Sequence, residues 1–261
     1  MAASFSFIGT GNMGGALARA VSRAVGPENL LLYDLDSAKA EALASELGAK
    51  AVDRDTAAGA DCVFLAVKPH LVAPVLRELP LAGHSVLVSM AAGVTVEQLE
   101  ALAPNRGILR IMPNTPVGIG AGVVLWCQND RMTAPKTAAV LAALAPAGLV
   151  EQLEERLMDA ATAVTGCSPA FTDLYIEAMA DGGVACGLPR DKALRLAAAA
   201  VSGAAQLVLE SGTHPGALKD AVCSPGGSTI QGVRTLEHHG FRSAVLEAVI
   251  SAAEKSGKLG K

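Results

Sequence analysis

Apolar and polar positions along the chain change their period near residue 157. Before it, short apolar runs alternate with stretches whose apolar positions recur at helical spacing. Ser4–Ile8 reads as a strand, Asn12–Val25 as a helix, Leu30–Tyr33 as a strand and Ser37–Leu47 as a helix carrying Leu43 and Leu47. Further strands are predicted at Cys62–Val67, Ser85–Val88 and Ile108–Met112, with a helix at Val96–Leu102 between the last two. Gly122–Cys127 and Leu149–Gln152 are strand-like, flank a helix at Ala134–Ala145, and finish the sheet. Apolar runs without alternation belong to strands buried on both faces, and the β-α-β rhythm predicts a parallel sheet covered by helices on either side.

Beyond residue 157 the strands stop, and helices are predicted at Ala170–Cys186, Arg190–Ser211, Pro215–Val222, Thr229–His239 and Phe241–Ser256. Gly-Leu-Pro at 187–189, Gly-Thr-His-Pro-Gly at 212–216 and Ser-Pro-Gly-Gly at 224–227 punctuate them. The fold class is therefore α/β: a Rossmann-type doubly wound domain over 1–156, then an all-helical domain over 157–261. The apolar stretch Leu194–Leu209 is interrupted by Arg195, Ser202, Gly203 and Gln206, and reads as a buried helix, not a membrane span. Ala197–Ala200 with Gly203, Ala204 and Ala205 would let it pack closely on another helix, either within the chain or across a subunit interface.

Composition narrows the field. A net charge of −4, 51% hydrophobic and 18% charged residues exclude a disordered chain, and the absence of a basic cluster excludes a nucleic-acid partner. The positive mean hydropathy of +0.39 comes through Ala and Gly, not through a span of strongly apolar residues. Cys62, Cys127, Cys167, Cys186 and Cys223 are odd in number and never form Cys-x-x-Cys, so neither a disulfide framework nor a metal site is expected. They read as small buried thiols. The first residues run straight into a strand without a basic region or cleavage site, which predicts a cytoplasmic protein.

Gly9-Thr10-Gly11-Asn12-Met13-Gly14 is a G-x-G-x-x-G between the first strand and first helix. Gly9 serves the tight turn, Gly11 the approach of a pyrophosphate to the backbone, and Gly14 the closeness of helix to strand, which predicts dinucleotide binding. Asp34 ends the second strand twenty residues on. A carboxylate there accepts from ribose hydroxyls and repels the 2′-phosphate of NADPH, and no Arg follows it, so NADH is favoured; the alternative is that Asp34 or Asp36 caps the next helix. Ala66-Val67-Lys68-Pro69, Ser89–Gly93 and Met112–Pro116 stand where later strands leave the sheet, the position ligands use. Ala91 would leave room for a nicotinamide ring, and Lys68 faces either phosphates or solvent. Cys223-Ser224-Pro225-Gly226-Gly227-Ser228-Thr229 offers backbone amides to a carboxylate and a hydroxyl from Thr229; the alternative is an ordinary cap by Ser228 or Thr229. His70 and His84 show no carboxylate partner in the sequence, and the adjacent His238 and His239 point too far apart to share a metal.

These pieces together resemble the pyrroline-5-carboxylate reductase family over nearly the whole length. The resemblance rests on Phe7–Gly14, Ala66–Pro69, Ala91–Thr95, Arg110–Pro116, Ala180–Val184 and the stretch from His214 to Glu237. It implies reduction of 1-pyrroline-5-carboxylate to L-proline with NADH or NADPH, the last step of proline synthesis. It further implies a helical domain that forms an interlocked dimer, sometimes a decamer. By the family pattern Thr229 lies near the ring nitrogen, the backbone of Gly226, Gly227 and Ser228 holds the carboxylate, and Asn114 and Ser224 stand by the substrate. Two departures are visible: Cys167 stands where the family usually has a second serine, and Asp34 where many relatives have Ser or Thr. A reductase for another cyclic imino acid and a dinucleotide-binding sensor without turnover are the rival readings.

Overall fold

The structure, a computed structural model, describes residues 3–257. Eight strands form one sheet in the order β3-β2-β1-β4-β5-β6-β7-β8. They are β1 (Phe5–Ile8), β2 (Leu30–Tyr33), β3 (Lys50–Ala51), β4 (Cys62–Leu65), β5 (Val86–Ser89), β6 (Ile108–Pro113), β7 (Gly122–Gln128) and β8 (Gly148–Gln152). Helices α1 (Asn12–Val25), α2 (Ser37–Leu47), α3 (Arg54–Ala58), α4 (Val72–Glu78), α5 (Val96–Leu102) and α6 (Ala134–Leu144) connect them, and α7 (Met158–Thr165) follows. The expected α1, α2, α5 and β2 match residue for residue, and the other expected strands agree within two residues at either end.

Both faces of the sheet are covered, as continuous apolar strands require. Phe7 and Phe64 stack at 4.6 Å between centroids and join Leu17, Val21 and Leu144 on one face. Ile8, Val63 and Leu65 meet Ala57, Val72, Leu76 and Leu99 on the other. Each fully buried Leu, Ile, Val or Phe contributes about 1.5–3 kcal/mol of transfer free energy. Ser6, buried in the middle of β1, donates its hydroxyl to Ala57 O at 2.7 Å and so leaves no polar group stranded. α5 starts with a reciprocal cap: Thr95 Oγ1 accepts from the Gln98 amide and Gln98 Oε1 from the Thr95 amide.

The sheet departs from the expected parallel arrangement at β7, which runs antiparallel to β6. Only residues 114–121 separate the two strands. A parallel return needs a crossover of about a dozen residues or more, so this connection can only turn back. Three small elements give no periodic signal: β3 has two residues, and α3 and α4 are short. α3 is capped by Asp53, whose Oδ1 accepts from the Thr56 amide at 2.7 Å.

The described residues divide into two compact units, one taking in residues 3–166 and 252–257, the other Cys167–Ser251. The second unit is helical: α8 (Ser168–Ala185), α9 (Arg190–Ser211), α10 (Pro215–Ala221), α11 (Ser228–His238) and most of α12 (Phe241–Ser256). His214 Nδ1 accepts from the Gly216 amide at 3.1 Å and caps α10. The unit's own buried cluster is Ala180, Ala193 and Ala197. That is too small to cover its leucines: Leu174, Leu196 and Leu209 are 68%, 57% and 77% exposed. The expectation of a buried helix over Leu194–Leu209 is therefore corrected, since the apolar length of α9 lies uncovered in the single chain. By length and composition α9 is also apolar enough to cross a membrane, with a mean hydropathy of 1.3 over its best window.

Candidate functional site

The parallel registers are in step, so the carboxyl ends of the central strands meet at one rim. Ile8 lies beside Tyr33 and Leu65, and Leu65 beside Ser89. Gly9, Asp34, Ala66 and Ala91 thus come together, and such a rim is where open α/β sheets bind ligands.

Two glycines of the first turn are required by the protein itself. Gly9 has φ +102°, and a Cβ on it would stand 2.6 Å from Ala66 O. A Cβ on Gly14 would stand 2.3 Å from Gly9 O and 2.9 Å from Ala66 Cβ. Gly11 differs: its φ of −65° suits any residue, and nothing lies within 4 Å of a Cβ built there. Protein packing gives no reason for glycine at this place, whereas a ligand lying against the backbone does. The Gly15 amide, donating to Gly11 O at 2.7 Å, is the first in α1 with a helical acceptor. The amides of Asn12, Met13 and Gly14 are the orphan donors of the helix start, at the positive end of its dipole. Open space beside Gly11 and free donors behind it fit a dinucleotide pyrophosphate.

Asp34 is held from three sides. Its Oδ2 accepts from the Thr10 amide at 2.7 Å and from the Thr10 hydroxyl at 3.1 Å, and its Oδ1 accepts from the Asp36 amide at 3.0 Å. Partial burial pushes the carboxyl up, but the Thr10 and Asp36 hydrogen bonds with the Lys39 charge outweigh it, and the group titrates below its ordinary value. Neither Asp34 nor Asp36 caps α2 with its side chain. A cavity of about 350 Å³ opens beside them, lined among others by Asp34, Leu35, Glu41 and Asp53. Leu35 is 93% exposed, an apolar surface next to acids. Leu35, Glu41 and Asp53 carry no motif that marks them, and Asp53 reaches this place through β3, which pairs with β2 in a register of two residues.

At the other strand ends, the Ala66 amide donates to Ile8 O at 2.9 Å, Val67 is half-buried and Lys68 is exposed. Pro69 opens a short 3-10 turn before α4. Ala91 is buried, its amide 3.4 Å from Ser89 Oγ.

Asn114, expected beside the substrate, is buried with its carboxamide committed to the fold. Its Nδ2 donates to Thr165 O at 3.0 Å and its Oδ1 accepts from the Val123 amide at 2.8 Å. Close by, Arg110 is 3% exposed, donating Nη1 to Glu155 Oε1 at 2.8 Å, while the same oxygen accepts from the Val96 amide at 2.7 Å. Arg110 and Asn114 thus tie β6 to the segment around α7. An arginine amid the apolar run of β6 is the signal that such a partner exists.

Ser224–Thr229 lies in the second unit. Pro225 and Gly226, with φ +72°, occupy the centre of a type II turn closed by the Gly227 amide on Ser224 O at 3.0 Å. A Cβ on Gly227 would meet Ser224 Oγ at 2.4 Å. Gly227 is the cap residue of α11 and supplies no side chain, so the alternative of a Ser228 or Thr229 side-chain cap is not what the loop adopts. Ser228 and Thr229 are exposed in the first turn, where backbone amides favour an anion.

Two readings of other residues are corrected, and a third, that of the remaining histidines, agrees. His84 does have an acid: its Nε2 lies 3.4 Å from Asp61 Oδ1, which no sequence spacing reveals because the two precede neighbouring strands β4 and β5. The cysteines are not uniformly buried: Cys62 and Cys127 are, where burial pushes both thiols up to about 11, but Cys167 and Cys223 are half-buried and Cys186 is exposed. His70 is exposed, and the rings of His238 and His239 lie edge to face at 5.1 Å at the end of α11.

Comparison with known proteins agrees with this geometry. A profile for pyrroline-5-carboxylate reductase dimerisation matches residues 155–259, and one for coenzyme F420-dependent NADP oxidoreductases matches residues 4–93. The pyrroline-5-carboxylate reductase of Escherichia coli K12 is 45% identical, covering 98% of this chain and 97% of its own. That of Glycine max is 40% identical, covering 97% and 94%. The crystal structure of Plasmodium falciparum pyrroline carboxylate reductase with NADP bound superposes with a TM-score of 0.89 at 31% identity, covering 99% of this chain and 98% of that one.

Proposed function

The chain belongs to the pyrroline-5-carboxylate reductase family, and from that premise we propose that it reduces 1-pyrroline-5-carboxylate to L-proline, using a nicotinamide dinucleotide held at Gly9–Gly14. The observation that carries the reading is Gly11: a glycine whose missing side chain faces open space at the start of α1. When bound, the reduced nicotinamide supplies a hydride to the imine carbon C5. The protein's work is alignment and charge.

In this reading the first-turn amides of α1 take the pyrophosphate, Asp34 takes the adenosine ribose, and Ala66–Pro69 and Ala91 line the remaining cofactor path. The Ser224–Ser228 turn offers backbone donors to the substrate carboxylate, and Thr229 orients the ring nitrogen. A cationic iminium needs no strong acid at that position, in keeping with a hydroxyl there. Asn114 acts through the backbone it pins, not through direct substrate contact. NADH is the preferred reductant, because a 2′-phosphate entering the cavity beside Asp34 would approach the carboxylates of Glu41 and Asp53 as well. The uncovered apolar face of α9 suits a second copy of this chain, in a dimer, and the protein is cytoplasmic.

The test is a purified-enzyme assay with 1-pyrroline-5-carboxylate, run with NADH and NADPH in parallel. Proline formation with the higher kcat/KM for NADH is expected; no turnover with either reductant overturns the reading. Thr229→Ala should lower kcat/KM about ten- to a thousandfold while NADH still binds. An unchanged rate would remove Thr229 from its role.

A further inference from the structure

Asp34 receives two hydrogen bonds from main-chain amides and one from a side chain. The amides of Thr10 and Asp36 remain whatever residues occupy those positions, and each holds one oxygen of the carboxylate. The Thr10 hydroxyl, 3.1 Å from Oδ2, is the one donor that sequence can add or remove. Thr10 is itself buried, between a glycine in the left-handed region and the exposed Gly11. Its β-branched side chain has few rotamers, so the hydroxyl is presented in a set direction. An ionised carboxylate accepts about four hydrogen bonds. Oδ2 already takes two and Oδ1 one, which leaves Oδ1 as the oxygen with capacity for a ribose hydroxyl. The nearby cation Lys39 is engaged by Asp36, with Nζ 3.2 Å from its Oδ2.

We propose that Thr10 is a positioning residue for cofactor choice: its hydroxyl clamps Asp34 so that Oδ1 faces the ribose diol and the carboxylate cannot turn aside for a 2′-phosphate. This rests on the reading of Asp34 as the ribose acceptor. Without the hydroxyl, Oδ2 keeps a single amide donor and the carboxylate gains freedom to rotate. Binding to the diol weakens, and the repulsion that excludes NADPH weakens with it.

Dissociation constants for NADH and NADPH, measured by fluorescence titration, test this together with the unfolding midpoint of each protein without cofactor. The wild-type protein should bind NADH more tightly. Thr10→Val should reduce the ratio of NADPH to NADH dissociation constants about three- to tenfold, chiefly through weaker NADH binding. Thr10→Ala gives the same readout should valine strain the turn, and Thr10→Ser should keep the wild-type ratio. In an Asp34→Asn background, Thr10→Val should leave the ratio unmoved. A wild-type preference for NADH that Thr10→Val and Thr10→Ala leave intact overturns the role of Thr10 alone. So does an equal loss of both cofactors, which is the mark of a merely structural residue. Tighter wild-type binding of NADPH overturns the reading of Asp34, and that of Thr10 with it.

Discussion

Gly11→Ala and Gly14→Ala add the same methyl group three residues apart and should fail in different ways. At Gly14 the new carbon would stand 2.3 Å from Gly9 O and 2.9 Å from Ala66 Cβ. Neither is the far end of a flexible side chain, so α1 must shift by about 1 Å from β1 and β4 to restore ordinary contact. That shift disturbs the packing of Leu17, Ala18, Ala20 and Val21, all fully buried. Overpacking of this kind costs about 1–3 kcal/mol, which for a unit of this size lowers Tm by roughly 2–12 °C. At Gly11 the methyl meets nothing, and the φ of −65° needs no change. Alanine is a poorer cap residue than glycine but loses less entropy on folding, so stability should stay within about 1 kcal/mol and Tm within roughly 4 °C. The methyl instead fills the space where a pyrophosphate oxygen would lie about 2.9 Å from an amide nitrogen. Losing one charge-assisted hydrogen bond there weakens NADH binding by roughly ten- to a hundredfold. Thermal unfolding and fluorescence titration of both variants separate the two effects. If Gly11→Ala unfolds as early as Gly14→Ala, or binds NADH as the wild type does, the assignment of Gly11 to the ligand is wrong.

Three further outcomes are expected. Glu155→Gln leaves the buried Arg110 guanidinium with only the more distant carboxylate of Asp159, 3.9 Å away, and should cost about 1–3 kcal/mol by urea denaturation; a change under about 0.5 kcal/mol would mean the pair is dispensable. Asp61 titrates below its ordinary value, first because the Ser4 amide donates to it, with the Ser4 hydroxyl and His84 adding to this against partial burial. A carboxyl depressed by folding stabilises the protein above its unfolded value, about 3.9, and loses that contribution as pH falls towards the folded value. Asp61→Asn should therefore be less stable than wild type at pH 6, with the gap narrowing below pH 4 in thermal melts; a gap that stays constant with pH contradicts the linkage. Leu196→Asp, on the uncovered face of α9, should turn a dimer into a monomer by sedimentation velocity without loss of helical circular dichroism, and a persisting dimer would move the interface elsewhere.

Periodicity alone located the major elements of the sheet domain, because strands buried on both faces must be apolar throughout and helices between them must be amphipathic. The G-x-G-x-x-G turn was equally legible, since its glycines answer to local sterics: the conformation at Gly9 and the contact at Gly14 follow from a strand turning straight into a helix. Asp34 could be named from its spacing. Its two hydrogen bonds from Thr10 could not, because they depend on β1 and β2 lying side by side in a particular register. The same cause hid Asp53 from the cavity and Asp61 from His84. Asn114 shows the converse: its motif marked it as important, and packing assigns its carboxamide to Val123 and Thr165. The antiparallel β7 was decided by the length of one connection, which apolar patterning does not register. The exposure of α9 was settled only in three dimensions, where a core of three alanines leaves the leucines around it uncovered. Local chemistry is written in neighbouring residues and can be read there, while a partner's identity is fixed by distances between segments that the chain order does not contain.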